Sequence, residues 1–291
     1  MKATYIDHMG TDLSVVNAAK VSFGKRSEWE VLEWDFWDNE EGETSHYKEL
    51  QLSKQDQGLI QFLARGCTAG DWEALVEEVT SKGMDQYYDD FSLHPVTEED
   101  CEVYDKELRD LLNHIRRMPS HWSPFAHTAI TLHLKMPIFV ARQIMKHTTG
   151  IEYNEVSRRY VDSEPEFYVP DVWRKKADNV KQGSSDTKVE FLRMQGFGEQ
   201  SVNDGAFKHQ MHSLDLYRDM IKAGVAPEQA RMVLPQSMYT EVIATGNLYA
   251  WANMYIQRSD SHAQKETQDL AKQIGEIIQP LYPVSWEALT K

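Results

Sequence analysis

The chain has 291 residues and sets 31 Lys and Arg against 46 Asp and Glu, a formal net charge of −15. That length suits one large domain or two small ones, and 41% hydrophobic residues with 15 Gly and 10 Pro exclude a disordered or fibrous chain. The acid excess excludes a sequence-independent grip on DNA or RNA and on an anionic membrane surface, and two cysteines exclude a disulfide scaffold and fit a reducing compartment.

The first residues, MKATYIDHMGTDLSVVNAAK, lack an apolar h-region and a small-residue cleavage pattern. The apolar run MPIFVA is far short of the ~20 residues that cross a bilayer, so a soluble, cytoplasmic protein is expected. The acidic, Trp-rich EWEVLEWDFWDNEEGE reads as an amphipathic or loop segment with its Trp side chains turned inward. KQDQGLIQFLAR (54–65) predicts a helix with Leu59, Ile60, Phe62 and Leu63 on one side, stopped by Gly66. Residues 67–117 read as a mostly helical, acidic insertion.

In HTAITLHLK (127–135), Ile130, Leu132 and Leu134 alternate with Thr131, His133 and Lys135, the period of a half-buried strand. Pro137 suits the first turn of a following helix that Gly150 can end, and the polar run from Ile151 to Tyr168 reads as a presented loop. Residues 170–205 predict a flexible surface connection. Residues 206–224 predict a helix striped by Phe207, Met211, Leu214, Tyr217 and Ile221, and PEQARMVLP predicts a short Pro-started helix. SMYTEVIATG reads as a strand or turn, LYAWANMYIQR as a buried helix and HAQKETQDLAKQIGEIIQPL as an amphipathic closing helix. With no repeat or sharp composition break, the prediction is a single α+β domain over 1–291, a mixed sheet core flanked by helices.

The chain has no Walker-type phosphate loop, no G-x-G-x-x-G after a strand and no nucleophile elbow. Cys67 and Cys101 lie far apart and no H-E-x-x-H occurs, so no metal is expected, and His127 and His133 read as packing or hydrogen-bonding groups. Arg, Lys, Asn, Glu, Ser and Gln instead concentrate in SHWSPFAH (120–127), in Arg142 to Tyr160, and in QARMVLPQSMYT with GNLYAWANMYIQRSDSHAQ. Arg158, Arg159, Arg231 and Arg258 can clamp a phosphate, and Asn154, Glu155 and Ser157 can read a base or sugar edge. Solvated surface ion pairs are the plain alternative, worth ~0–1 kcal/mol each. A nucleotide-like anion with a polar ring fits the mixture better.

AAKVSFGK, HWSPFAH, KMPIFVARQ, NEVSRRY, ARMVLPQSMYT, TGNLYAWANMYIQR and DSHAQKE, in this order, resemble the flavin-dependent thymidylate synthase family. The resemblance implies an FAD enzyme that moves a methylene group from 5,10-methylenetetrahydrofolate to C5 of dUMP, with NADPH as reductant, and works as a homotetramer with shared sites. It uses no enzyme cysteine as nucleophile. Arg258 matches the arginine that contacts the pyrimidine and promotes ionisation at N3. Gln143, Lys146, Glu155, Val156, Ser157, Arg158, Arg159 and Arg231 match nucleotide-binding positions, Ser157 and Arg159 on the 5′-phosphate. Ser22, His121, Ser123, Lys146, His147, Thr148, Glu155, Asn247, Tyr249 and Asn253 match cofactor positions, with His121 near the folate or flavin ring.

Four departures stand out: Lys146-His147-Thr148 in place of an Arg-His-Arg triplet, one extra residue before Asn154, Ala126 for Glu, and Tyr249 where Arg is common. They raise two alternatives. One is a pyrimidine nucleotide 5-hydroxymethylase, with Glu152 accepting from a dCMP amino group; the other is a non-catalytic nucleotide-binding protein.

Overall fold

The computed structural model describes residues 1–37, 44–64, 67, 121–160, 164–177, 184–194 and 198–291. Apart from Cys67, the predicted helical insertion 67–117 lies outside the described residues. In chain order the elements are β1 (Lys2–Met9), α1 (Asp12–Lys20), β2 (Glu30–Trp37), β3 (Thr44–Gln51), α2 (Lys54–Ala64), β4 (Ala129–Pro137), α3 (Ile138–Ile144) and β5 (Ile151–Glu155). They continue with β6 (Arg174–Lys176), β7 (Ser184–Lys188), β8 (Phe191–Met194), β9 (Gly198–Ser201), α4 (Val202–Lys222), α5 (Pro227–Ala230), β10 (Tyr239–Gly246), α6 (Leu248–Ser259), α7 (Lys265–Ile278) and α8 (Pro283–Thr290). Two compact units result: Met1–Met9 with Ala129–Ile278, and Gly10–Thr128 with Gln279–Lys291.

The first unit is built on a sheet of order β1-β4-β10-β5. As its alternation predicts, β4 sends Ile130, Leu132, Leu134 and Met136 fully inside and keeps Thr131, His133 and Lys135 on the other face. β10 repeats the pattern, with Val242 and Ala244 inward and Glu241, Ile243 and Thr245 outward. Fully burying such an aliphatic side chain contributes about 1.5–3 kcal/mol. Leu248, Trp251 and Met254 of α6, with Leu270, Ile274 and Ile278 of α7, complete this unit's core, and Trp251 Nε1 donates to the Ile130 carbonyl at 3.2 Å. The outer face is polar: Lys135 Nζ donates to Glu166 at 2.7 Å, and His133 Nε2 meets Glu241 Oε2 at 2.9 Å.

Several expectations are corrected. The sheet expected to be mixed is antiparallel at every described ladder, because β10 runs opposite to both β4 and β5 and separates them. The run after Gly150 begins as a strand, with Ile151 buried and Glu152 and Asn154 exposed; five residues at a sheet edge carry too little alternation to read. Residues 170–205 are not a plain connection, since they hold the hairpins β6/β7 and β8/β9 and the start of α4. On α4, Leu214 and Tyr217 are buried but Phe207 is 56% exposed. α7 does not close the chain, because Pro283 starts α8.

In the second unit, the described part of the Trp-rich stretch forms β2, paired antiparallel with β3, rather than an inward-turned segment. Trp34 stacks on Tyr47 across the pair, ring centroids 5.8 Å apart, and both rings stay exposed. α2 buries Ile60 and Leu63 as predicted, while Phe62 remains exposed. The Asp12 carboxylate, itself buried, accepts from the backbone N–H groups of Val284 and Ser285 at 2.9 Å each and so caps α8 from another helix.

A second buried carboxylate, Asp56, takes hydrogen bonds from Lys20 and from Ser27 Oγ at 3.0 Å. Burial opposes its ionisation, but the bonds from Lys20, Ser27 and Ser53 and the Lys20 charge outweigh burial and hold the carboxyl below its usual range. A carboxyl depressed on folding stabilises the native state above its unfolded pKa of about 3.9 and loses that contribution as pH falls through the folded value. Thermal melts of wild type and Asp56→Asn below pH ~4 should therefore converge, with wild type losing its advantage. A constant gap between the two curves contradicts this.

Candidate functional site

The site in the first unit is assembled from the two ends of α6 and the turn after α3. Pro137, extended at φ −69° and ψ 153°, caps α3, and Ile138 N donates to the Met238 carbonyl at 3.0 Å. Val140, Ala141 and Ile144 face inward, which leaves Gln143 on the half-buried side. The helix ends at Ile144, earlier than Gly150, and the turn beyond is pinned by Tyr153. Its hydroxyl donates to the carbonyls of Ile144 at 3.2 Å and His147 at 3.0 Å, and burial pushes its pKa up.

Gly150 sits at φ +80°, and a Cβ there would lie 2.8 Å from Asn247 Nδ2. Its carbonyl accepts from Asn247 N at 3.1 Å, and Asn247 Oδ1 accepts from Ala250 N at 2.9 Å to cap α6. At the far end of α6 the Arg258 guanidinium donates from Nε to His147 Nε2 at 2.9 Å. A cation in the last turn of a helix is also favoured by the backbone dipole. Burial, reinforced by the Arg258 charge, lowers the His147 pKa to about 4, so the imidazole is neutral at physiological pH.

Gln143 and Arg258 line a cavity of about 920 Å³ together with Tyr168, Trp173, Arg174 and Glu266. A hydrogen-bonded chain stiffens the wall. Thr267 Oγ1 donates to Gln143 Oε1 at 3.1 Å, Gln143 Nε2 to Gln264 Oε1 at 2.7 Å, and Gln264 Nε2 to buried Glu266 at 3.0 Å. Arg174 Nη2 donates to both Glu266 oxygens at 2.7 and 2.9 Å. The second unit has its own cavity of about 830 Å³, where Ser22, His121 and Ser123 meet Lys20, Lys25 and Phe62. His121 stacks on Phe62 at 5.7 Å. Each cavity combines cationic donors with an aromatic face, which fits an anionic, ring-bearing cofactor.

A family model described as thymidylate synthase complementing protein matches residues 4–284. The chain belongs to that family. It is 38% identical over 173 residues to the flavin-dependent thymidylate synthase of Thermosipho africanus, covering 59% of this chain and 72% of that protein. The Pseudothermotoga lettingae enzyme of the same name is 30% identical over 221 residues, covering 74% of this chain and 93% of its own. Among solved structures, the UMP/dUMP methylase PolB from Streptomyces cacaoi bound with 5-Br dUMP shares the fold. Its TM-score is 0.58 at 24% identity, over 99% of this chain and 94% of that one.

The remaining positions matched to the family fall as follows. Val156 N extends the β5 ladder to the Glu241 carbonyl at 2.9 Å, and Glu155 accepts from Thr240 Oγ1 at 2.7 Å. Ser157 Oγ accepts from Arg159 Nε at 3.0 Å, and the Arg159 guanidinium lies 5.1 Å from the Tyr160 ring centre. Arg158 is half-buried, and exposed Arg231 donates to the Glu228 carbonyl at 3.3 Å. Lys146 and Thr148 are exposed; Tyr249 and Asn253 are half-buried on α6. Ser157, Arg159 and Arg231 are not among the described residues lining the larger cavity, nor is Glu152, which pairs with Thr245 on the outer face of the sheet. Trp173, Arg174 and Glu266 were not singled out by sequence. The first two sit in a polar stretch that reads as a connection, and Glu266 reads as one more charge on an amphipathic helix.

Gly150→Ala forces a left-handed alanine against Asn247. It should lower unfolding stability by about 1–2 kcal/mol in chemical denaturation. A wild-type denaturation midpoint would show that the turn adapts and that this close approach does not set the geometry.

Proposed function

We propose that this protein transfers the one-carbon unit of 5,10-methylenetetrahydrofolate to C5 of a deoxypyrimidine 5′-monophosphate, converting dUMP to dTMP with FAD bound and NADPH as reductant. The reading rests on the family match across residues 4–284, joined to one observation: Arg258, the residue matched to the pyrimidine-contacting arginine, lines a large cavity beside a neutral imidazole. C5 forms a bond to the methylene carbon, both folate C–N bonds to that carbon (N5 and N10) break, and N5 and N10 each take up a proton; the C5 proton balances one of these and solvent supplies the other. A hydride equivalent from NADPH takes the carbon to the methyl level, leaving tetrahydrofolate and NADP⁺. When bound, the flavin supplies the relay for that hydride.

The chain's own contribution is electrostatic and positional. The Arg258 cation stabilises negative charge developing at N3 of the pyrimidine as C5 becomes nucleophilic, an effect typically worth a few kcal/mol. Gln143, held at both ends of its amide, offers a fixed edge to the ring. Ser157 and Arg159, which lie outside the described lining of the larger cavity, are assigned to the 5′-phosphate by the family resemblance alone. His121, Ser123 and Ser22 form the aromatic and hydroxyl part of the cofactor surface. The homotetramer with shared sites rests on the family resemblance alone.

Glu152 pairs with Thr245 on the outer sheet face and is not among the described residues of the cavity wall, which supports dUMP over dCMP as the substrate. The Streptomyces cacaoi methylase acts on UMP and dUMP, so both belong in the assay beside dCMP. NADPH consumption should be fastest with dUMP. Arg258→Ala should lower turnover by about 10²–10³-fold while the purified protein keeps its flavin absorbance. Preferred turnover of dCMP, or an active Arg258→Ala enzyme, would overturn the assignment.

A further inference from the structure

The two arginines of the larger cavity are held in opposite ways. Arg174 is neutralised, its Nη2 shared between both oxygens of buried Glu266 and its Nε given to Ser184 Oγ at 2.8 Å. Arg258 is tethered through Nε alone, to the imidazole of His147 at 2.9 Å. Among the described residues Nη1 and Nη2 of Arg258 have no hydrogen-bond partner. A carboxylate in the place of His147 would orient the guanidinium equally well but would cancel its field where an anion must develop.

We propose that His147 is the positioning residue for Arg258: a neutral acceptor that fixes the guanidinium through Nε and presents its undiminished charge and both terminal nitrogens to the pyrimidine. The sequence reading places His147 against the cofactor; the geometry commits its Nε2 to Arg258. This inference rests on the one-carbon-transfer reading of the cavity.

The holder is itself held. His147 N donates to the Ile144 carbonyl at 3.1 Å and its own carbonyl accepts from Tyr153 Oη at 3.0 Å, so the imidazole hangs from a fixed backbone. Accepting at Nε2 requires the proton on Nδ1, the tautomer that is the minority form of free histidine. Burial and the adjacent guanidinium both oppose a second proton. The flanking exchange to Lys146 and Thr148 leaves this bond untouched, since both side chains are exposed and only the central histidine is needed.

Variants of His147 and Arg258, imidazole rescue and one spectroscopic measurement test this. His147→Ala should lower kcat for dUMP about a hundredfold, with a much smaller change in KM, because the lost interaction acts in the transition state. His147→Gln, whose amide oxygen can accept from Nε, should recover about tenfold of that loss. Added imidazole should partly rescue the alanine variant. In ¹⁵N-histidine NMR of the flavin-loaded wild type without nucleotide, the resonances absent from His147→Gln should show a protonated Nδ1 and a bare Nε2. Arg258→Ala should return them to the Nε2-protonated form. A protonated Nε2 in wild type, or wild-type kcat in His147→Ala, overturns the proposal. If wild type alkylates no pyrimidine, the functional reading fails while the tautomer measurement still decides the Arg258–His147 arrangement.

Discussion

A chain with 15 more acids than bases must keep one cation free of its own carboxylates to serve an anionic ligand. Among the described residues several other cations are neutralised at short range: Lys20 by Asp56, Lys135 by Glu166, Arg174 by Glu266 and Arg218 by Glu164. Arg258 is held by a nitrogen lone pair instead. A neutral acceptor restricts the guanidinium without screening it, and in a half-buried wall that difference is worth far more than in water. The functional reading depends on this local exception to an unfavourable global field.

The fold makes the exception possible by touching α6 at both ends with one turn. At its start, Gly150 approaches Asn247 so closely that only a residue without Cβ fits, and Asn247 caps the helix. At its end, His147 meets Arg258. The turn is set by β4 and α3 before it and β5 after it, and β10 delivers α6 from the strand between β4 and β5. Fully buried Ile130, Leu132, Leu134 and Trp251 hold these pieces as one body. Precision at the site thus comes from sheet registry, while the loop between Ile144 and Gly150 only carries it.

What was legible in the sequence follows the same physics. β4 declared itself because one face is fully buried and the other polar, and α4, α6 and α7 because an apolar stripe recurs at helical spacing. The β2/β3 pair did not, because Trp34, Tyr47, Val31 and Leu50 are exposed and its apolar residues therefore do not mark an inner face. β6 and β7, made of RKK and SSDTK, carry no apolar alternation and so leave no pattern. Arg258, Gln143 and His147 stood in motifs whose order matched a family. Trp173, Arg174 and Glu266 were silent because their role arises from long-range pairing, with Arg174 and Glu266 separated by 92 residues.

The identity of the nucleotide product tests the proposed reaction most directly. Incubation with dUMP, NADPH and folate carrying ¹³C in its methylene bridge, followed by mass analysis, reads both the transferred carbon and its final oxidation level. The expected product is dTMP with the label in its 5-methyl group. A labelled 5-hydroxymethyl nucleotide, or unaltered dUMP from a flavin-loaded protein, would contradict it.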